Sequence, residues 1–217
     1  MNRWHLITIP MLLFAINCWL HPVYQQEDTN SSGEEQGLLA LIAGSNSNSS
    51  TNRGFKYIFV TAATPTGGGV NGLSGADSLC QTDSRNPGTG TFKALLGIFN
   101  LRHWCRSDMG SCPGGSSLNW VISPSTEYRR LDGITTVATS TPDSHFSFPL
   151  DNTYSTDTDD AWTGLANDMT SNAGSSECGN WVSTGCCGNH ITLTNTSGIN
   201  EGNLNCSLPA RLICVEQ

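Results

Sequence analysis

Basic side chains are scarce in this 217-residue chain: ten Lys and Arg stand against eighteen Asp and Glu, a formal charge of −8. Binding to a polyanion needs a surplus of Lys and Arg to release counterions, so nucleic acid is excluded as a general partner. Charge of either sign is sparse, at 13% of residues. That leaves too few Glu, Lys and Arg to cover the exposed faces of long helices. No Gly-x-Ser-x-Gly nucleophile elbow, His-x-x-x-His pair or Cys-x-x-Cys pair occurs, and the five histidines, His5, His21, His103, His145 and His190, stand apart from one another. A catalytic triad would have to be assembled from distant residues, so no catalytic residues are assigned and no enzyme is expected.

Glycine, serine, threonine and asparagine are plentiful, a mixture that suits short strands joined by many turns. The chain begins with Arg3 and an apolar run from Leu6 to Ile16, shorter than a membrane-spanning helix and right for a signal segment. Nine cysteines make an odd count, and Cys18, at the end of that run, sits where a bacterial lipoprotein signal places its acylated cysteine. The other eight, Cys80, Cys105, Cys112, Cys178, Cys186, Cys187, Cys206 and Cys214, form a set that can close into disulfides. Residues 1–17 are therefore expected to be a signal peptide. Residues 18–52, with the run Gly44-Ser45-Asn46-Ser47-Asn48-Ser49-Ser50, read as a lipidated flexible tether to a bacterial outer membrane or cell surface, and 53–217 as one folded domain.

Within that domain Lys56-Tyr57-Ile58-Phe59-Val60-Thr61, Phe92-Lys93-Ala94-Leu95-Leu96, Trp120-Val121-Ile122 and Arg211-Leu212-Ile213-Cys214-Val215 carry the β-branched and aromatic pattern of strands, bounded by Gly and Pro turns. Ser74 or Gly75 caps a short helix through Cys80, with Asp77 in its first turn.

The ordered set Gly72-Leu73-Ser74-Gly75-Ala76-Asp77-Ser78-Leu79-Cys80, Thr91 to Leu96, Ala161-Trp162-Thr163-Gly164, Cys178, Trp181, Cys206 and Arg211 to Gln217 resembles the leptospiral endostatin-like lipoproteins, over roughly Phe55 to Gln217. The resemblance implies an α+β domain of the C-type lectin-like, endostatin-like fold, with short, mostly antiparallel strands, one or two helices and disulfide staples. It implies Cys80 paired with Cys214 and Cys178 with Cys206. Cys105 and Cys112 are then close enough to bridge across the Gly110 turn. Cys186 and Cys187 either form a vicinal disulfide or exchange partners with that pair. Members of the family are similar to surface adhesins and virulence factors that bind host extracellular-matrix proteins such as laminin and fibronectin, in some cases complement factor H or plasminogen. Fold kinship does not itself fix function. The alternative reading is a calcium- or carbohydrate-binding lectin-like module, and the third an uncharacterised hydrolase.

Two sites follow from the residues. Trp104, flanked by Arg102, His103 and Arg106, is the candidate contact for a protein ligand, since Arg and Trp together favour protein recognition. It is set against a solvated basic loop, the commoner case for scattered surface charge. Asp151, Asp157, Asp159 and Asp160 offer hard oxygen ligands at short spacing for calcium. With the EF-hand spacing missing, a solvated acidic turn is the favoured reading, and neither a cofactor nor a metal is expected.

Overall fold

The computed structural model describes residues 53–106, 115–171 and 176–217. The signal segment, the acylation of Cys18, the tether and Cys112 lie outside the described residues.

The strands are β1 (Lys56–Val60), β2 (Phe92–Ala94), β3 (Glu127–Arg129), β4 (Thr136–Thr139), β5 (Asp160–Trp162), β6 (Cys187–Thr192), β7 (Gly202–Asn205) and β8 (Arg211–Glu216). They form one sheet in the order β4-β3-β1-β8-β5-β6-β7, with β2 also paired to β8. The β1–β3 and β5–β8 pairs are parallel and the others antiparallel, so the sheet is mixed. Together with one regular helix, α1 (Gly72–Thr82), this is a small α+β fold with few helices.

The last strand organises the sheet. β8 pairs with β1 through Phe59↔Cys214, with β2 through Ala94↔Cys214 and with β5 through Trp162↔Leu212. A strand buried on both faces needs apolar residues at successive positions. Leu212, Ile213, Cys214 and Val215 are all at most 1% exposed. Their alternation divides the interior into two cores. Ile213 and Val215 join Ile58, Val60, Ala161, Trp104, Phe146 and Tyr154 on one face. On the other, Leu212 and Cys214 join Phe59, Trp162, Trp181 and α1, through Ala76 and Cys80. The helix and the two disulfides described below lie on the second face, and long loops cover the first.

Local chemistry accounts for the exceptions to expectation. The helix begins earlier than a Ser74 or Gly75 cap implies, because Asn71 adopts the left-handed conformation (φ 61°) that turns the chain directly into Gly72. Asp77 does not serve the helix terminus: its carboxylate accepts the Ala94 amide at 3.0 Å and joins α1 to β2. Trp120-Val121-Ile122 is not a strand. Asn119 at φ 46° and the turn after Ser123 interrupt it, and Val121 and Ile122 are buried as irregular chain. Cys178–Trp181 forms a left-handed turn, with Gly179 and Asn180 at φ 59° and 60°. Gly164, itself at φ 61°, packs so closely on Gly97 that a Cβ would lie 2.5 Å from the Gly97 carbonyl oxygen. Only glycine fits there.

Candidate functional site

The contact surface expected around Trp104 is not a surface. Arg102 is 2% exposed. Its Nη1 and Nη2 donate to the two carboxylate oxygens of Asp77 at 2.7 Å each, Nη1 also to the Ala94 carbonyl at 2.8 Å, and Nε to the Asn119 carbonyl at 3.0 Å. Trp104 is buried, donates from Nε1 to the Asp143 carbonyl at 2.6 Å and stacks on His145 with ring centroids 4.4 Å apart. Of the expected set only Arg106 is exposed. Arg102 turns inward because it meets Asp77, 25 residues earlier in the chain, and a buried arginine needs such a partner. Trp162 and Trp181 are core residues, their centroids 5.5 Å apart.

The four aspartates considered for calcium do not converge. Asp157 pairs with Arg85 at 2.7 Å, and Asp159 pairs with Arg211 Nη2 at 2.6 Å. The hydrogen bond from Arg85 holds the Asp157 carboxyl below the ordinary carboxylate range. Asp151 is exposed and donates its backbone amide to Val137 in a separate turn. A calcium site needs several unshared oxygens around one point, and arginines already occupy two of the four carboxylates. Asp160 turns elsewhere, toward His190 Nε2 at 3.9 Å. Glu201, in the turn before β7, lies beside both, and a ligand atom from each of the three residues lies within 4.8 Å of the other two.

Cys80–Cys214 and Cys178–Cys206 are disulfides, as the family resemblance implies. Cys105 is disulfide-bonded too. Cys186 and Cys187 are free thiols with their Sγ atoms 2.8 Å apart, which corrects the expectation of a bridge for each of them. The hydrogen bond with Cys186 pushes the Cys187 thiol up.

Glu177 carried no signal in the sequence. It is 3% exposed, and no cationic side chain among the described residues pairs with it. Burial pushes its carboxyl up to about 7, partly offset by the Phe99 amide donating to Oε1 at 2.7 Å. A folded-state value above the unfolded one means that the native state holds this proton more tightly. The resulting stabilisation is full below the unfolded value near 4.5 and is lost as pH rises through about 7. Across that window the wild type is expected to lose about 3 kcal/mol at this group. Glu177→Gln, which keeps an acceptor for Phe99, removes the loss. Urea midpoints at pH 5 and pH 8 check it, and an equal offset between variant and wild type at both would mean that Glu177 titrates normally.

An open cavity of about 310 Å³ lies where β1 meets the β3–β4 turn, lined by Ile58, Val60, Arg85, Arg130 and Tyr154 among others. Tyr154 is buried, and its hydroxyl is without a partner among the described residues. Asp132 makes the adjoining turn rigid by accepting the Ile134 and Thr135 amides at 2.8 Å each. At the tip of that turn Ile134 is 83% exposed and Leu131 37%. A cavity with arginines and an apolar turn was not legible in sequence, since it combines β1, the β3–β4 turn, the turn after α1 and the loop before β5.

No curated protein matches the chain. A family model described as a protein of unknown function, DUF1554, matches residues 63–201, more than half of the sequence and most of the strands described above, and the chain belongs to that family.

Proposed function

We propose that this protein is a lipid-anchored surface adhesin without catalysis, with a C-type lectin-like, endostatin-like domain that binds host extracellular-matrix proteins such as laminin and fibronectin. The observation that carries the reading is Ile134, 83% exposed on a hydrogen-bonded turn whose Leu131 and Asp132 line the cavity together with Arg85 and Arg130. Leu131 and Ile134 together give the turn an apolar tip, and apolar side chains with arginines around one cavity have the composition of a protein-binding hot spot. Two nested disulfides, the outer one tying α1 to β8, suit an exposed, oxidising location. The same reading places the lipid anchor at Cys18 and leaves complement regulators as further partners of the same class.

The test is immobilised laminin and fibronectin titrated with the oxidised protein at physiological salt. Saturable binding that is lost on reduction, and weakened at least about tenfold by Ile134→Asp, is the expected result; truncation of a hot-spot side chain typically removes this much affinity or more. Unchanged binding by the Ile134 variant would move the contact elsewhere, and no saturable binding to either matrix protein would remove the adhesin reading. Inhibition by free sugar would favour a lectin instead.

A further inference from the structure

We propose that Asp160, His190 and Glu201 form a binding site for a divalent transition-metal ion of the zinc class, whatever the partner bound elsewhere on the domain. The register builds it. Asp160 opposes Thr192 and Trp162 opposes His190, so Asp160 and His190 project from the same face of the β5–β6 pair as diagonal neighbours. His190 in turn pairs with Gly202, which brings Glu201 to the end of β6. Three adjacent strand ends thus contribute one ligand atom each, all mutually within 4.8 Å. Tetrahedral bonds of about 2.0–2.1 Å need ligand atoms about 3.3 Å apart, so each pair of ligand atoms has to close by about 1.5 Å at most.

The orientation of the imidazole points independently to a metal. His190 Nδ1 lies 3.1 Å from the Gly202 carbonyl oxygen, which can only accept. Nδ1 therefore carries a proton, which leaves Nε2, 3.9 Å from Asp160 Oδ1, as the nitrogen available to a metal. A backbone carbonyl holding the distal N–H of a histidine is the usual support behind a metal-ligating imidazole. The carboxylates are held as well: Glu201 Oε2 accepts the Thr192 amide at 2.8 Å, Glu201 Oε1 accepts from Asn195 Nδ2, and Asp160 Oδ1 accepts the Thr192 hydroxyl at 3.2 Å.

Charge argues the same way. Arg85 and Arg211 neutralise Asp157 and Asp159, whereas among the described residues neither Asp160 nor Glu201 has an arginine or lysine partner. Two carboxylates and one imidazole nitrogen match the charge and donor needs of one divalent ion. One nitrogen with two carboxylates suits zinc or manganese, while calcium prefers six to eight oxygens. Three protein ligands leave a coordination position open to water at the exposed side of Glu201.

The experiment is calorimetric titration of the oxidised full chain with zinc chloride, paired with thermal melts. One equivalent should bind and raise the melting temperature, with calcium at the same concentration producing no shift. His190→Gln should weaken binding at least about 30-fold and Glu201→Gln about tenfold, since ligand loss removes a whole metal bond while the folded state is retained by circular dichroism. Cys186→Ser with Cys187→Ser must leave binding intact, because the two free thiols are the competing soft ligands. Loss of binding in that serine variant, unchanged binding in both His190→Gln and Glu201→Gln, calcium binding as tight as zinc, or no saturable zinc binding would each overturn the proposal.

Discussion

Arg102→Met is expected to destabilise the fold by about 3–5 kcal/mol, the usual cost of removing one member of a buried ion pair. The guanidinium is nearly inaccessible and makes two bonds to Asp77 and one each to the Ala94 and Asn119 carbonyls. Removing it takes the Arg102 donor from the Asn119 carbonyl, leaves the Ala94 carbonyl with the Leu96 amide alone, and leaves the Asp77 carboxylate, whose side chain is 25% exposed, with the Ala94 amide alone. Methionine fills much of the volume but satisfies none of these acceptors. It also severs the only charged link from α1 to the loop after β2 among the described residues. A double-mutant cycle separates packing from pairing: Asp77→Ala added to Arg102→Met should cost far less than the sum of the single changes. Urea denaturation provides the measurement. An Arg102→Met protein that unfolds at the wild-type midpoint and loses only ligand affinity would return Arg102 to the surface role its neighbours in sequence suggest.

The second large effect belongs to Cys80–Cys214. This disulfide spans 134 residues and joins α1 to β8, while Cys178–Cys206 spans 28. In the chain-entropy model, opening the longer loop costs about 5 kcal/mol and opening the shorter about 3.6 kcal/mol. Both half-cystines of the longer link are fully buried, so Cys80→Ala with Cys214→Ala also leaves unfilled volume between α1 and the β1–β8–β2 strands. The expected order in guanidinium midpoints is wild type, then the Cys178/Cys206 double alanine variant, then the Cys80/Cys214 variant. A reversed order would show that native packing around the left-handed Cys178–Trp181 turn, rather than loop length, controls the contribution.

β1 and β8 were legible because a strand covered on both faces must be apolar at consecutive positions, and Ile58-Phe59-Val60 and Leu212-Ile213-Cys214-Val215 are so within a chain otherwise rich in polar turns. The short apolar run at Val121-Ile122 carries the same local signal without becoming a strand, since Asn119 at φ 46° and the turn after Ser123 break the extended chain on either side of it. The two disulfide pairings were legible only through resemblance to a family; eight cysteines by themselves allow far too many connectivities. The sites were the least legible part. Arg102, His103 and Trp104 look like a basic loop when read along the chain, and the aspartates look like one cluster. Both impressions dissolve once Asp77, Arg85 and Arg211 approach from remote elements.

By itself the sequence determined a sparsely charged α+β domain bounded by an apolar first and last strand and cross-linked by cysteine, because burial pattern and composition are local properties that survive in one dimension. Only the tertiary structure decided which arginines are buried, which aspartates are neutralised, which thiols stay free, and that Asp160, His190 and Glu201 face one another. Each of those outcomes depends on long-range pairing: the energy of a charge or a ligand lies in its partner, and in this mixed sheet the partner comes from a different strand or turn.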